Sequence, residues 1–142
     1  MRALLDVNVL LALFDPAHIH YSRAKQWFGA HGAAGWASCP LTQNGFVRIV
    51  SNPGYARPAL LTDALDILNE QICDSEHEFW PDDISITDTA LFDHSRILGP
   101  GQITDVYLLG LAVRNSGRLV TFDVGIPVAA VKGATKAHVV SL

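Results

Sequence analysis

The sequence predicts an α/β fold in which a parallel sheet carries helices on both faces. Three observations carry this. Ala3-Leu4-Leu5 and Leu119-Val120-Thr121-Phe122 are short runs without strict polar alternation, as in strands covered on both sides. Segments with helical spacing separate the strand candidates, the arrangement of β-α-β crossovers. Two of the apolar runs also end in an acid, Asp6 and Asp123, and open parallel sheets form their binding crevices at the carboxyl ends of strands.

The elements follow in order. Ala3–Leu5 is the first strand, and residues 8–14 read as a short helix stopped by Asp15-Pro16. His18 to His31 reads as a second helix, with Ala24, Trp27 and Phe28 on one face and Gly29 and Gly32 weakening its end. Gly35 to Cys39 is the second strand. Pro40 then suits the first turn of a helix running to about Val50. Asn52-Pro53-Gly54 is a loop. Thr62 caps the next helix, whose inner face carries Leu65, Leu68 and Ile72. His77 to Trp80 is a strand candidate, and Thr87 to Ile97 reads as a helix. After the break at Gly99-Pro100-Gly101, Thr104 caps a helix that ends at Asn115-Ser116-Gly117, with Asp105 in its first turn. Leu119 to Phe122 is a buried strand, and His138 to Leu142 an edge strand.

Composition narrows the function classes. The 142 residues suit one domain spanning 1–142, and 49% apolar content argues against disorder. A net charge of -4 gives no basic footprint for nucleic acid, although a bound metal supplies local positive charge. Cys39 and Cys73 lack Cys-x-x-Cys spacing and are expected as core thiols in a reducing compartment. Asp6 and Asn8 interrupt any signal-peptide core, and no stretch approaches the roughly 20 apolar residues of a membrane span. The expectation is a cytoplasmic protein. His18 and His20 are spaced poorly for a helical metal pair and read as surface, as do His94 and Arg96. Trp27, Trp36 and Trp80 read as core or dimer surface rather than base-stacking platforms.

The candidate chemistry lies in the acids. If the strands ending in Asp6 and Asp123 are neighbours, Asp105 at its helix start joins them in one crevice. Three uncompensated carboxylates raise one another's pKa, and a divalent cation removes the conflict. Oxygen donors without nearby His or Cys suit Mg²⁺ or Mn²⁺ rather than zinc. Such a cation stabilises a phosphoryl transition state. The alternative makes Asp6 and Asp105 helix-capping acids and Asp123 a solvated loop residue.

Four segments then resemble a family. Leu5-Asp6-Val7-Asn8-Val9-Leu10, Pro40 to Arg48 (PLTQNGFVR), Ile103-Thr104-Asp105-Val106-Tyr107-Leu108 and Val120-Thr121-Phe122-Asp123 resemble PIN-domain ribonucleases. They are most similar to the VapC toxins of type II toxin–antitoxin systems. The resemblance implies a PIN-like three-layer sandwich around a central, mostly parallel sheet. It also implies a Mg²⁺-dependent (or Mn²⁺-dependent) endoribonuclease acting on an RNA substrate, with acids at Asp6, Asp105 and Asp123. A homodimer and a VapB-like antitoxin partner follow from it as well. One departure stands out: the family has Glu where this chain has Gln43. An amide keeps the shape and one acceptor but loses the charge, so the expectation is a site of three formal acids rather than four, with activity reduced or absent. Asn44 and Arg48, one helical turn apart, are candidate contacts for substrate or partner. A binding module that holds an antitoxin or RNA without cutting it is the rival reading. The haloacid dehalogenase motif, which Asp6-Val7-Asn8-Val9 also resembles, requires a second Asp at the place of Asn8.

Overall fold

The computed structural model describes every residue from Met1 to Leu142. Five strands form the sheet: β1 (Ala3–Leu5), β2 (Trp36–Ser38), β3 (His77–Phe79), β4 (Arg118–Thr121) and β5 (Val139–Ser141). Their order is β3-β2-β1-β4-β5. All four pairings are parallel, so the sheet is wholly rather than mostly parallel. β1 is central, and the strands ending near Asp6 and Asp123 are neighbours, in register from Ala3↔Arg118 to Leu5↔Val120.

The apolar runs are continuous because the three inner strands, β2, β1 and β4, each feed two cores. Ala3 and Leu5 join Trp36 and Val120 on one face, while Leu4 joins Ala37 and Leu119 on the other. This is the period-two alternation of a strand with both faces covered. Helices α1 (Val7–Phe14), α2 (Tyr21–His31), α3 (Pro40–Val50) and α4 (Leu61–Ile72) supply the first core. Helix α5 (Ile103–Arg114) and the segments around Phe92 and Ala130 supply the second. Two glycines allow close approach between elements on the same side of the sheet. A Cβ on Gly45 would lie 2.7 Å from Val7 Cγ2, which brings α3 against α1. One on Gly110 would lie 2.5 Å from the Phe92 ring.

Several expectations are corrected. Helix α2 begins at Tyr21, because His18 forms a turn in which its Nδ1 accepts from His20 N at 3.0 Å. His18 and His20 are half-buried rather than surface residues, and His20 stacks on Phe122. Helix α4 begins at Leu61, with Leu60 rather than Thr62 at the N-cap. Its inner face is carried by Ala64 and Leu68, leaving Leu65 48% exposed. Residues 87–97 are not a helix. Asp88 and Asp93 side chains take backbone N–H groups of Ala90 and Ser95, the local competition that disfavours helix. Phe92 instead bridges to Val131, and only His94–Arg96 forms a 3₁₀ turn. A 3₁₀ turn at Pro100–Gln102 leads directly into α5, so Thr104 is inside the helix and Gln102 is the N-cap. Cys39 is buried as expected, whereas Cys73 is exposed at the end of α4. Trp36 and Trp80 are core residues, and Trp27 carries the Arg118 guanidinium 5.5 Å from its ring centroid. No helix is long and apolar enough to cross a membrane.

Candidate metal centre

The central strand ends at Asp6, which is also the N-cap of α1. The two sequence readings of this residue therefore coexist. Its Oδ1 accepts from Val7 N at 2.7 Å, and Asp6 N continues the ladder by donating to Val120 O at 3.0 Å. Asp123 lies just beyond β4, next in the sheet. Asp105 comes from the first turn of α5, where the helix dipole favours a carboxylate. The topology brings the three together: one carboxylate oxygen from each lies within 4.8 Å of the others.

Burial differs across the group. Asp6 is 6% exposed, Asp105 half-buried and Asp123 exposed. Burial is the main force raising the Asp6 pKa; hydrogen bonds from Thr121 and Val7 oppose it, and the Asp123 charge adds to it. Asp105 is pushed up to about 6, first by burial and then by the charges of Asp6 and Asp123, with no hydrogen bond to offset them. Three hard oxygen donors under mutual repulsion fit a divalent cation such as Mg²⁺ or Mn²⁺. No nitrogen or sulfur ligand belongs to the group, which disfavours zinc.

Two polar residues that stand in the quoted motifs, but to which the sequence assigned no role, complete the geometry. Thr121 is fully buried at the end of β4, and its hydroxyl donates to Asp6 Oδ2 at 2.7 Å. The same oxygen accepts from Asp123 N at 3.0 Å. Asn8 Oδ1 accepts from Phe122 N at 3.1 Å, and its Nδ2 reaches Thr121 Oγ1 and Asp123 Oδ2, both at 3.2 Å. The signal for Asn8 was its place two residues after Asp6. Thr121 offered only a polar residue inside an apolar run.

The structure places Gln43 differently from the acids. It sits half-buried on α3, and its Nε2 donates to Ser38 Oγ at 2.9 Å. Ser38 Oγ in turn lies 2.8 Å from His77 Nε2. Burial lowers the His77 pKa, which favours the neutral ring that accepts from Ser38. Asn44 and Arg48 are exposed farther along α3, where they line a groove with Val47, Leu61 and Leu65. None of these three residues bonds to Asp6, Asp105 or Asp123.

Residues 3–132 match the PIN domain family model. The chain is 51% identical over 142 residues, all of both chains, to Ribonuclease VapC44 of Mycobacterium tuberculosis. It is 46% identical over 125 residues to Ribonuclease VapC38 of the same species, covering 87% of this chain and 86% of the relative. Among solved structures, the fold resembles VapBC2 from Rickettsia felis bound to a DNA fragment from their promoter. There the TM-score is 0.60 at 15% identity, covering 87% of this chain and 89% of that one. It also resembles VapC20 of Mycobacterium tuberculosis, a Sarcin-Ricin loop cleaving toxin. That TM-score is 0.62 at 10% identity, with 94% and 97% coverage.

Proposed function

The chain belongs to the PIN-domain family, among relatives of the VapC ribonucleases, and from that premise we propose that it is a divalent-metal-dependent endoribonuclease toxin of a VapBC-type pair. The observation that carries the reading is the convergence of Asp6, Asp105 and Asp123 at the carboxyl edge of β1 and β4. These three side chains hold Mg²⁺ or Mn²⁺. When bound, the cation supplies positive charge for the phosphodiester and for the charge that develops during its cleavage. Asp6 is the most rigid of the three, since both of its oxygens accept a hydrogen bond. Asp105 has the most to gain from a cation, because nothing else relieves its repulsion.

The relatives support a VapB-like antitoxin and an RNA substrate as partners, and the same reading includes a second copy of the chain. The chain is placed in the cytoplasm, where a toxin acting on RNA finds its target. A mean hydropathy of +0.24 agrees with a homodimer holding an apolar interface; light scattering at tens of micromolar that finds only monomer counts against this.

The test of the activity is cleavage of single-stranded RNA with Mg²⁺ or Mn²⁺, with chelator, and after Asp6→Asn or Asp105→Asn. Cleavage is expected only in the unsubstituted, metal-loaded protein. Equal cleavage in chelator overturns the reading. One observation favours a second reading, a module that binds its partner without cutting RNA. Gln43 is neutral and hydrogen-bonded to Ser38 rather than to an acid. Tight antitoxin binding without cleavage under any metal condition selects that reading.

A further inference from the structure

Asn8, in the first turn of α1, bridges to the end of β4 and the residues after it, and both polar atoms of its side chain are engaged there. Its orientation is settled by chemistry. Phe122 N can only donate, so the atom 3.1 Å from it is the amide oxygen. The amide nitrogen must then face Asp123 Oδ2 and Thr121 Oγ1, each at 3.2 Å. Thr121 has a single hydroxyl proton, and the 2.7 Å contact with Asp6 Oδ2 takes it. Its oxygen is therefore an acceptor toward Asn8 and toward Asp123 N. The bonds run in one consistent direction, from Asn8 and the backbone through Thr121 to Asp6.

We propose that Asn8 is a positioning residue of the metal centre: its amide holds Asp123, and through Thr121 Asp6, in the arrangement that receives the cation. This rests on the functional reading above. The need is specific to Asp123. It is exposed and lies beyond the regular strand; besides Asn8 its carboxylate meets only the Thr121 hydroxyl oxygen, at 3.5 Å, and that hydroxyl gives its proton to Asp6. A neutral donor suits this task, because it restrains a carboxylate oxygen without competing with the cation for charge. A carboxylate in its place keeps the acceptor for Phe122 N but sets a second negative group against Asp123. An outer partner of this kind supports metal affinity by about ten- to a hundred-fold.

The experiment measures Mn²⁺ binding by calorimetry on the full chain, with thermal unfolding in chelator recorded alongside. Asn8→Ala removes both functions of the amide, and its Mn²⁺ affinity is expected to fall about ten- to a hundred-fold. Asn8→Asp preserves the shape and adds charge. It is expected to melt lower than the unsubstituted protein in chelator yet recover fully with Mn²⁺, so its metal-induced shift in melting temperature is the larger. A purely structural role predicts lower melting for both variants with unchanged Mn²⁺ affinity in the folded protein, and that result overturns the proposal. Binding in the unsubstituted chain with no change in either variant sinks this inference alone. An unsubstituted chain that takes up no Mn²⁺ sinks the metal reading together with it.

Discussion

The Thr121 hydroxyl donates to Asp6 Oδ2 at 2.7 Å, joining the ends of β4 and β1 across 115 positions of sequence. Both residues are buried, so the bond is shielded from water and directed at a charged acceptor. Thr121→Val keeps the shape and removes the hydroxyl. A hydrogen bond to a charged group is worth about 1.5–3 kcal/mol, and urea unfolding in chelator should show a loss on that scale. Thr121→Ser should recover most of it. A valine variant as stable as the parent would mean that Asp6 is held by Val7 N alone.

Asp105→Asn should separate stability from function. The substitution removes a carboxylate repelled by Asp6 and Asp123, so the melting temperature in chelator is expected to rise. Affinity for Mn²⁺ is expected to fall, because one of three charges on the cation is gone. Calorimetry and thermal melts on the same preparation check both. Unchanged affinity would return Asp105 to the role of a first-turn helix acid.

The same repulsion gives a pH dependence with a defined sign. In the folded chain Asp105 is pushed up to about 6, from an ordinary value of 3.8. Between those values the folded state binds more protons than the unfolded one, so stability falls as pH rises. The metal-free protein should therefore lose stability from about pH 4 to pH 6 through this group, and Asp105→Asn should flatten that slope. Adding Mg²⁺ at pH 7 should restore stability, since the cation replaces the proton as counter-charge. Melting curves across pH, with and without Mg²⁺, test this.

Gln43→Glu restores the acid that the resemblance expects. At about 4 Å, one added unit charge opposite another is worth roughly 4 kcal/mol at an effective dielectric near 20, before desolvation. Repulsion from the three acids reduces this, and the divalent cation increases it. A gain of about one to a few powers of ten in RNA cleavage is expected, at about 1.4 kcal/mol per tenfold. The carboxylate cannot donate to Ser38 as the amide does. The serine proton must turn toward residue 43 and away from His77. Equal cleavage by both forms would make Gln43 a structural partner of Ser38 and not a site residue.

Gly45→Ala tests how closely α3 must approach α1. The new Cβ would sit 2.7 Å from Val7 Cγ2, one residue from Asp6. Overpacking of this kind costs about 1–3 kcal/mol, measurable by chemical denaturation. A neutral effect would show that the Val7 side chain can rotate away without moving the helix.

The sequence by itself determined the strands and the class of the sheet, and it singled out the three acids whose carboxylates the fold brings together. Continuous apolar runs at Ala3–Leu5 and Leu119–Val120 require cover on both faces, and helical segments between strands require parallel crossovers. An acid ending such a run must then emerge at the carboxyl edge. Local signals failed where side chains compete with the backbone or packing overrides a cap, at Asp88, Asp93, Thr62 and Thr104. Only the tertiary structure shows Thr121 and Asn8 hydrogen-bonded to the acids, since their bonds span more than a hundred residues and a hydroxyl or amide carries no periodic signature. It likewise decided the partner of Gln43. The motif places that residue on α3, but the direction of its amide toward Ser38 depends on β3 bringing His77 alongside β2.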